Sequence, residues 1–269
     1  MKSRSVSTAV GTAVFALVFS LSTHHAAGQA PNAYKAPRTA DGQPDLSGVW
    51  RAWNLAQFDV EDHSAMPGIP PGRGVIVDPP DGKIPYKPEM LAKRKENYEK
   101  SRTSDPWKSA DPLAKCYVPG VPRATYIGFP FEIVQMKTNV LFIYEWMHLR
   151  RPAYYDAKGR MKDIDFWFGD SRAHWDGDTL VVDVADNNDR TWFDSVGNFH
   201  SEQLHVVERY TRTGPDTLHY EATIEDPKTF TRPWKMAMDL QRQKDVGLLD
   251  YECTDLLEQQ GIHITWERE

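Results

Sequence analysis

Long apolar runs and cysteine are both scarce in this 269-residue chain. The one sustained apolar run, Val10–Leu21, is about a dozen residues, well short of the ~20 that a spanning helix needs. Behind Lys2 and Arg4, and ahead of the small residues Ala26-Ala27-Gly28, it has the layout of a secretory signal cleaved near Gly28. The expected mature protein is therefore exported, periplasmic or extracellular, and not inserted in the membrane; an uncleaved anchor is the alternative. Cleavage removes Lys2 and Arg4 only, so the net charge moves from 32 − 38 = −6 to 30 − 38 = −8. An acidic chain without a basic stripe is a poor nucleic-acid binder, because neutralising phosphates requires clustered Lys and Arg. Familiar catalytic signatures are missing as well. There is no Gly-x-Ser-x-Gly elbow, P-loop, Gly-x-Gly-x-x-Gly or His-Glu-x-x-His, which disfavours serine hydrolases and nucleotide or nicotinamide enzymes. No cofactor is expected.

The two cysteines are Cys116 and Cys253. In an oxidising compartment the expectation is a single bridge from the start of the folded core to its last strand; two buried thiols are the alternative. Aromatic content of 12% supplies enough core that folding does not depend on disulfides. A nucleophilic role for Cys253 is not expected, since LLDYECTD reads as a packed strand.

What is present divides into an irregular front and a regular back. Residues 29–46 are polar and Pro-rich, read as a flexible arm. Residues 47–130 carry MPGIPPGRG and VDPPDGKIP, turn and polyproline signals, and one charged surface helix, Glu89–Ser101, with Pro88 at its first turn. From Phe131 the pattern has period 2. The pairs are EIVQMK/NVLFIYEW about Thr138-Asn139, HLRRPAYYD/KDIDFWF about Lys158-Gly159, and RAHW/DTLVVDV about Asp176-Gly177. QLHVVERYTR/TLHYEATIED about Gly214-Pro215-Asp216 and RPWKMAMDLQR/GLLDYECTD complete the series. Short strands joined by tight turns predict an all-β, mainly antiparallel fold. It is an up-and-down meander over residues 131–269, forming a lipocalin-like barrel or strongly curved sheet within one domain, 47–269. Crossover helices are lacking, which excludes a parallel α/β sheet.

Chemistry-bearing residues concentrate between Gly169 and Trp234. His200 and His205 are candidate acid/base groups, because an imidazole titrates near neutral pH. Asp170, Asp189, Asp194 or Glu202 are candidate orienters. In a strand from Gln203 to Tyr210, His205, Val207 and Arg209 face one way and Leu204, Val206, Glu208 and Tyr210 the other. His205 and Glu208 thus point apart, and a metal held by His200, His205 and Glu208 is not expected. Asn187 and Asn188 read as turn formers. Arg190 is a candidate anion clamp and Trp192 a stacking face, while Asp170–Arg172 is either a brace or a binding pair. Phe142, Tyr144, Trp146 and His148 share a strand face that can line a pocket, with Arg150 or Arg151 turned inward.

Two resemblances accompany this reading. DLSGVW ahead of a β-meander resembles the Gly-x-Trp opening of lipocalin-type barrels, whose Trp plugs one end. PDLSGVW, PGVPR, FEIVQ, GDS…WDGDTLVVD, GNFHSEQLHVVERYTR and EATIEDPKTFTRPW resemble a group of exported bacterial proteins of unassigned function, over most of residues 44–256. That group implies no activity. Two functions follow as expectations. One is a cofactor-free lyase, isomerase or hydrolase using His/Asp chemistry on a small organic or glycosidic substrate. The other is a lipocalin-like binding protein for an apolar or aromatic ligand without turnover. Convergence of His, Asp and Arg in a pocket favours the first; an aromatic lining with one or two polar anchors favours the second.

Overall fold

The computed structural model describes residues 34–67, 69–103, 108–155, 159–160, 164–259 and 261. The signal segment expected at residues 1–28 lies outside them. Ten strands are present among the described residues: β1 (Gly48–Ala52), β2 (Ile76–Asp78), β3 (Phe131–Gln135), β4 (Asn139–Tyr144), β5 (Arg150–Tyr154), β6 (Asp170–Asp176), β7 (Thr179–Ala185), β8 (His205–Arg212), β9 (Thr217–Glu225) and β10 (Trp234–Arg242). Their order is β1-β3-β4-β5-β6-β7-β8-β9-β10, and β1 also pairs with β10, so these nine strands close into a barrel. β2 adds to β10 beyond the ring. The irregular front thus supplies the closing strand of the meander.

Alternation places the core. β8 and β9 bury every second residue, and the inward positions include Val206, Tyr210, Leu218, Tyr220, Ala222 and Ile224. Facing them are Phe131, Phe142 and Tyr144 from β3 and β4, with Trp234 from β10. Trp50 of β1 is fully buried and donates from Nε1 to the Leu46 carbonyl at 2.9 Å. The guanidinium groups of Arg242 and Arg212 lie 5.7 and 6.0 Å from its ring. The tight β6–β7 hairpin pairs Asp176 with Thr179, and Gly177 takes the positive φ of +58° that this turn demands.

Two expected strands are absent from the described residues. β5 and KDIDFWF do not form a hairpin. Instead, residues 164–169 form a loop, and β5 pairs with β6 in parallel, over Ala153↔Ser171 and Tyr154↔Arg172 alone. β6 is committed along its whole length to β7, and at Gly169 (φ +61°) the chain turns into it. GLLDYECTD is not a strand either, because both sides of β10 are taken, one by β9 and the other by β1 and β2. Tyr251 makes a single parallel bridge to Trp146, and Cys253 opens a short helix, α2 (Cys253–Gln259). Cys253 is bonded to Cys116, so the bridge forms, but to a helix start rather than a strand. The surface helix is present as a 3-10 turn, Pro88–Met90, running into α1 (Leu91–Ser101), which buries no side chain. Among the described helices, none is long and apolar enough to cross a membrane.

Candidate functional site

The weak point of the barrel wall is the β5–β6 seam. Only two residue pairs join these strands, at the C-terminal end of β5 and the N-terminal end of β6, so residues 150–152 have no partner in β6. The loop Phe166-Trp167-Phe168 packs beside that gap, and a cavity of about 430 Å³ opens there. Its outer rim includes Arg150, Tyr154 and Arg172, whereas Arg151 and Ser171 reach it from the inward face. Both are buried, at 2% and 3% exposure, yet Arg151 Nε and Ser171 Oγ have no hydrogen-bond partner among the described residues. Both atoms are sealed from solvent, and a buried donor without a partner costs about 1–3 kcal/mol.

The rest of the Arg151 guanidinium is fixed. Nη1 donates to Glu208 Oε2 at 2.6 Å, and the group lies 4.6 Å from the Phe142 ring. Glu208 Oε1 in turn accepts from the hydroxyls of Tyr210 and Tyr220, each at 2.9 Å. Burial opposes the charge on Arg151, but Glu208 and the neighbouring tyrosines outweigh it and hold its pKa well above the ordinary value. Tyr144 stacks on Phe168 at 5.6 Å, and burial pushes its phenol up to about 12, so it stays protonated. Behind the β5–β6 wall there is therefore a rigid polar hub within an aromatic core.

Four of the residues singled out in the sequence meet here, Arg150, Arg151, Asp170 and Arg172, while Tyr144 lies behind them against Phe168. Asp170 accepts from Arg172 Nε at 3.1 Å and braces the start of β6. The others lie elsewhere. His200 is sealed at 1% exposure, with Nε2 2.7 Å from Thr191 Oγ1 and Nδ1 2.9 Å from the Ser201 carbonyl. Burial pushes its pKa down. His205 sits on the outer face of β8 as alternation predicts, 3.0 Å from Asp183, and that hydrogen bond raises its pKa. Asp183 was not among the expected orienters, and neither histidine lines the cavity.

Asp194 is fully buried and accepts from the backbone amides of Val60, Val196 and Asn198 and from Asn198 Nδ2. Burial, with nearby Asp59, pushes it up to about 7. Its four donors make it an anchor for the irregular front. Asp189 and Arg190 are exposed, and Asn188 Oδ1 accepts from the Arg190 amide in an Asx turn. Trp192 is half-buried and bridged to Phe199.

His148 does not extend the Phe142–Tyr144 face, because β4 ends at Tyr144 and positive φ at Met147 and His148 turns the chain away. It pairs with Asp250 at 2.5 Å and Glu252 at 3.2 Å. These three are the described group whose donor atoms lie close enough to share a cation, and each is already explained as an ion pair at the surface.

Sequence reasoning missed Ser171 and the loop aromatics Phe166, Trp167 and Phe168. Their signal was DFWFGDS, three consecutive aromatics that a two-faced strand cannot bury together on one side. The chain matches no protein-family model and no curated protein.

Proposed function

We propose that this barrel is an exported binding protein that holds a small aromatic ligand in the β5–β6 cleft without turning it over. The observation that carries the reading is one aromatic-walled cavity at the seam, lined by Tyr154, Phe166, Trp167 and Phe168 with Arg150 and Arg172 as its polar anchors. Apolar walls with a few convergent polar groups are the usual composition of a ligand site. Proton-transfer catalysis would want an imidazole at the cavity, and His200 and His205 are both engaged away from it. The Cys116–Cys253 bridge fits an oxidising compartment.

The test uses the neutral fluorophore N-phenyl-1-naphthylamine. The expected result is saturable enhancement at one probe per chain, weakened at least tenfold by Trp167→Ala, with the circular dichroism spectrum unchanged. Tenfold corresponds to ~1.4 kcal/mol, within the range for one aromatic wall. Absence of saturable binding, or a Trp167→Ala protein that binds as the parent does, overturns the reading.

A further inference from the structure

We propose that the ligand of the β5–β6 cleft is an aromatic carboxylate, an inference that rests on the cleft being the binding site. Charge is the first observation. In a chain of net charge −6, the cleft is lined by Arg150, Arg151 and Arg172 against Asp170 alone. Arg172 is paired with Asp170 and Arg151 with Glu208. Arg150 is exposed and has no ion pair among the described residues. Trp167 extends the pattern, since it also borders a neighbouring cavity of about 250 Å³ that includes Lys115, Tyr117 and Arg190. Neither Lys115 nor Arg190 has an ion pair among the described residues, and Tyr117 stacks on Trp167 with centroids 5.4 Å apart and planes within 8°. One aromatic wall is therefore flanked by three uncompensated cations. Such a concentration of positive potential draws an anion to the cleft more strongly than a neutral occupant of the same shape.

Hydrogen bonding is the second observation. The exposed guanidinium of Arg150 has no hydrogen-bond partner among the described residues, and all its N–H groups are able to donate. A carboxylate has two oxygens with lone pairs to accept them, and charge-assisted bonds of this kind are about twice as strong as neutral ones. Its ring then lies along Trp167 and Phe166, with Arg150 at the mouth.

Calorimetric titration with 2-naphthoate and with its neutral counterpart 2-naphthylmethanol tests this. The acid is expected to bind at least tenfold tighter than the alcohol, with the margin shrinking as salt is raised. Arg150→Gln changes an exposed rim residue, so the fold is kept; the acid should lose about fivefold in affinity there while the alcohol is spared. Equal affinities for acid and alcohol overturn the carboxylate assignment and leave the cleft as a binding site. If neither compound binds, the cleft reading fails and this inference with it.

Discussion

Replacing Glu208 by Gln changes one buried charge and little of the shape around it. Glu208 is fully buried, its partner Arg151 is 2% exposed, and their contact is 2.6 Å. The Gln carbonyl still accepts from Tyr210 and Tyr220, so the loss falls on the ion pair. Arg151 cannot escape by shedding its proton and is left charged in a low-dielectric interior. Breaking a buried pair from one side costs about 3–5 kcal/mol. Against the ~5–15 kcal/mol that holds a typical domain together, that is a large share. Glu208→Leu should be worse, because it also strands two tyrosyl hydroxyls at about 1–3 kcal/mol each. Arg151→Met combined with Glu208→Gln removes both charges and should sit closer to the parent than either single change. Urea unfolding followed by fluorescence and circular dichroism, extrapolated linearly, supplies the values. The reasoning is refuted if Glu208→Gln lies within about 1 kcal/mol of the parent, or if the double variant is simply additive.

Loss of the disulfide in Cys116→Ser/Cys253→Ser opens a loop spanning 137 residues, for which chain entropy sets about 5 kcal/mol; denaturation should return ~2–5 kcal/mol. Proton NMR titration should separate the two central histidines, His205 titrating above its usual 6.5 and His200 below it. His205 then stabilises fully below pH 6.5 and loses that contribution as pH rises through its folded pKa. Asp183, held low by His205, contributes above its usual 3.8 and loses it as pH falls. Their pair is thus strongest between those values, and partial exposure keeps it below ~1 kcal/mol. His200 works the opposite way, stabilising above 6.5 and losing that as acid charges a sealed imidazole. Gly169→Ala should cost more than ~2 kcal/mol and weaken probe binding, since its Cβ would meet the Ala185 carbonyl at 2.6 Å in a left-handed backbone. A variant as stable as the parent would contradict this.

The barrel was legible because its signal is local: alternation in β8 and β9 and the Asp176-Gly177 turn depend on residues close in sequence. The inward and outward assignment of Glu208 and His205 followed from period 2 alone. Closure was not legible, because β1 lies 83 residues ahead of β3 by their first residues (131 − 48) and nothing local announces that Trp50 faces Phe131. The two strands wrongly expected fail for a related reason. DIDFWF and LLDYECTD have strand-like composition, but one lies beside a seam and the other meets a barrel whose edges are already used. Density of His and Asp located polar anchors such as Asp194 and His200, which tie loops together. The cleft is instead walled by Phe166, Trp167 and Phe168 with Arg150 and Arg172, which only the folded β5–β6 seam brings together.

Fluorine NMR of protein carrying 5-fluorotryptophan, titrated with 2-naphthoate, addresses the central claim most directly. Trp167, assigned by Trp167→Phe, should shift saturably, while the fully buried Trp50 and Trp234 stay in place. A silent Trp167, or a shift confined to Trp175 in the separate cavity beside Thr39 and Asp41, contradicts the β5–β6 cleft as the binding site.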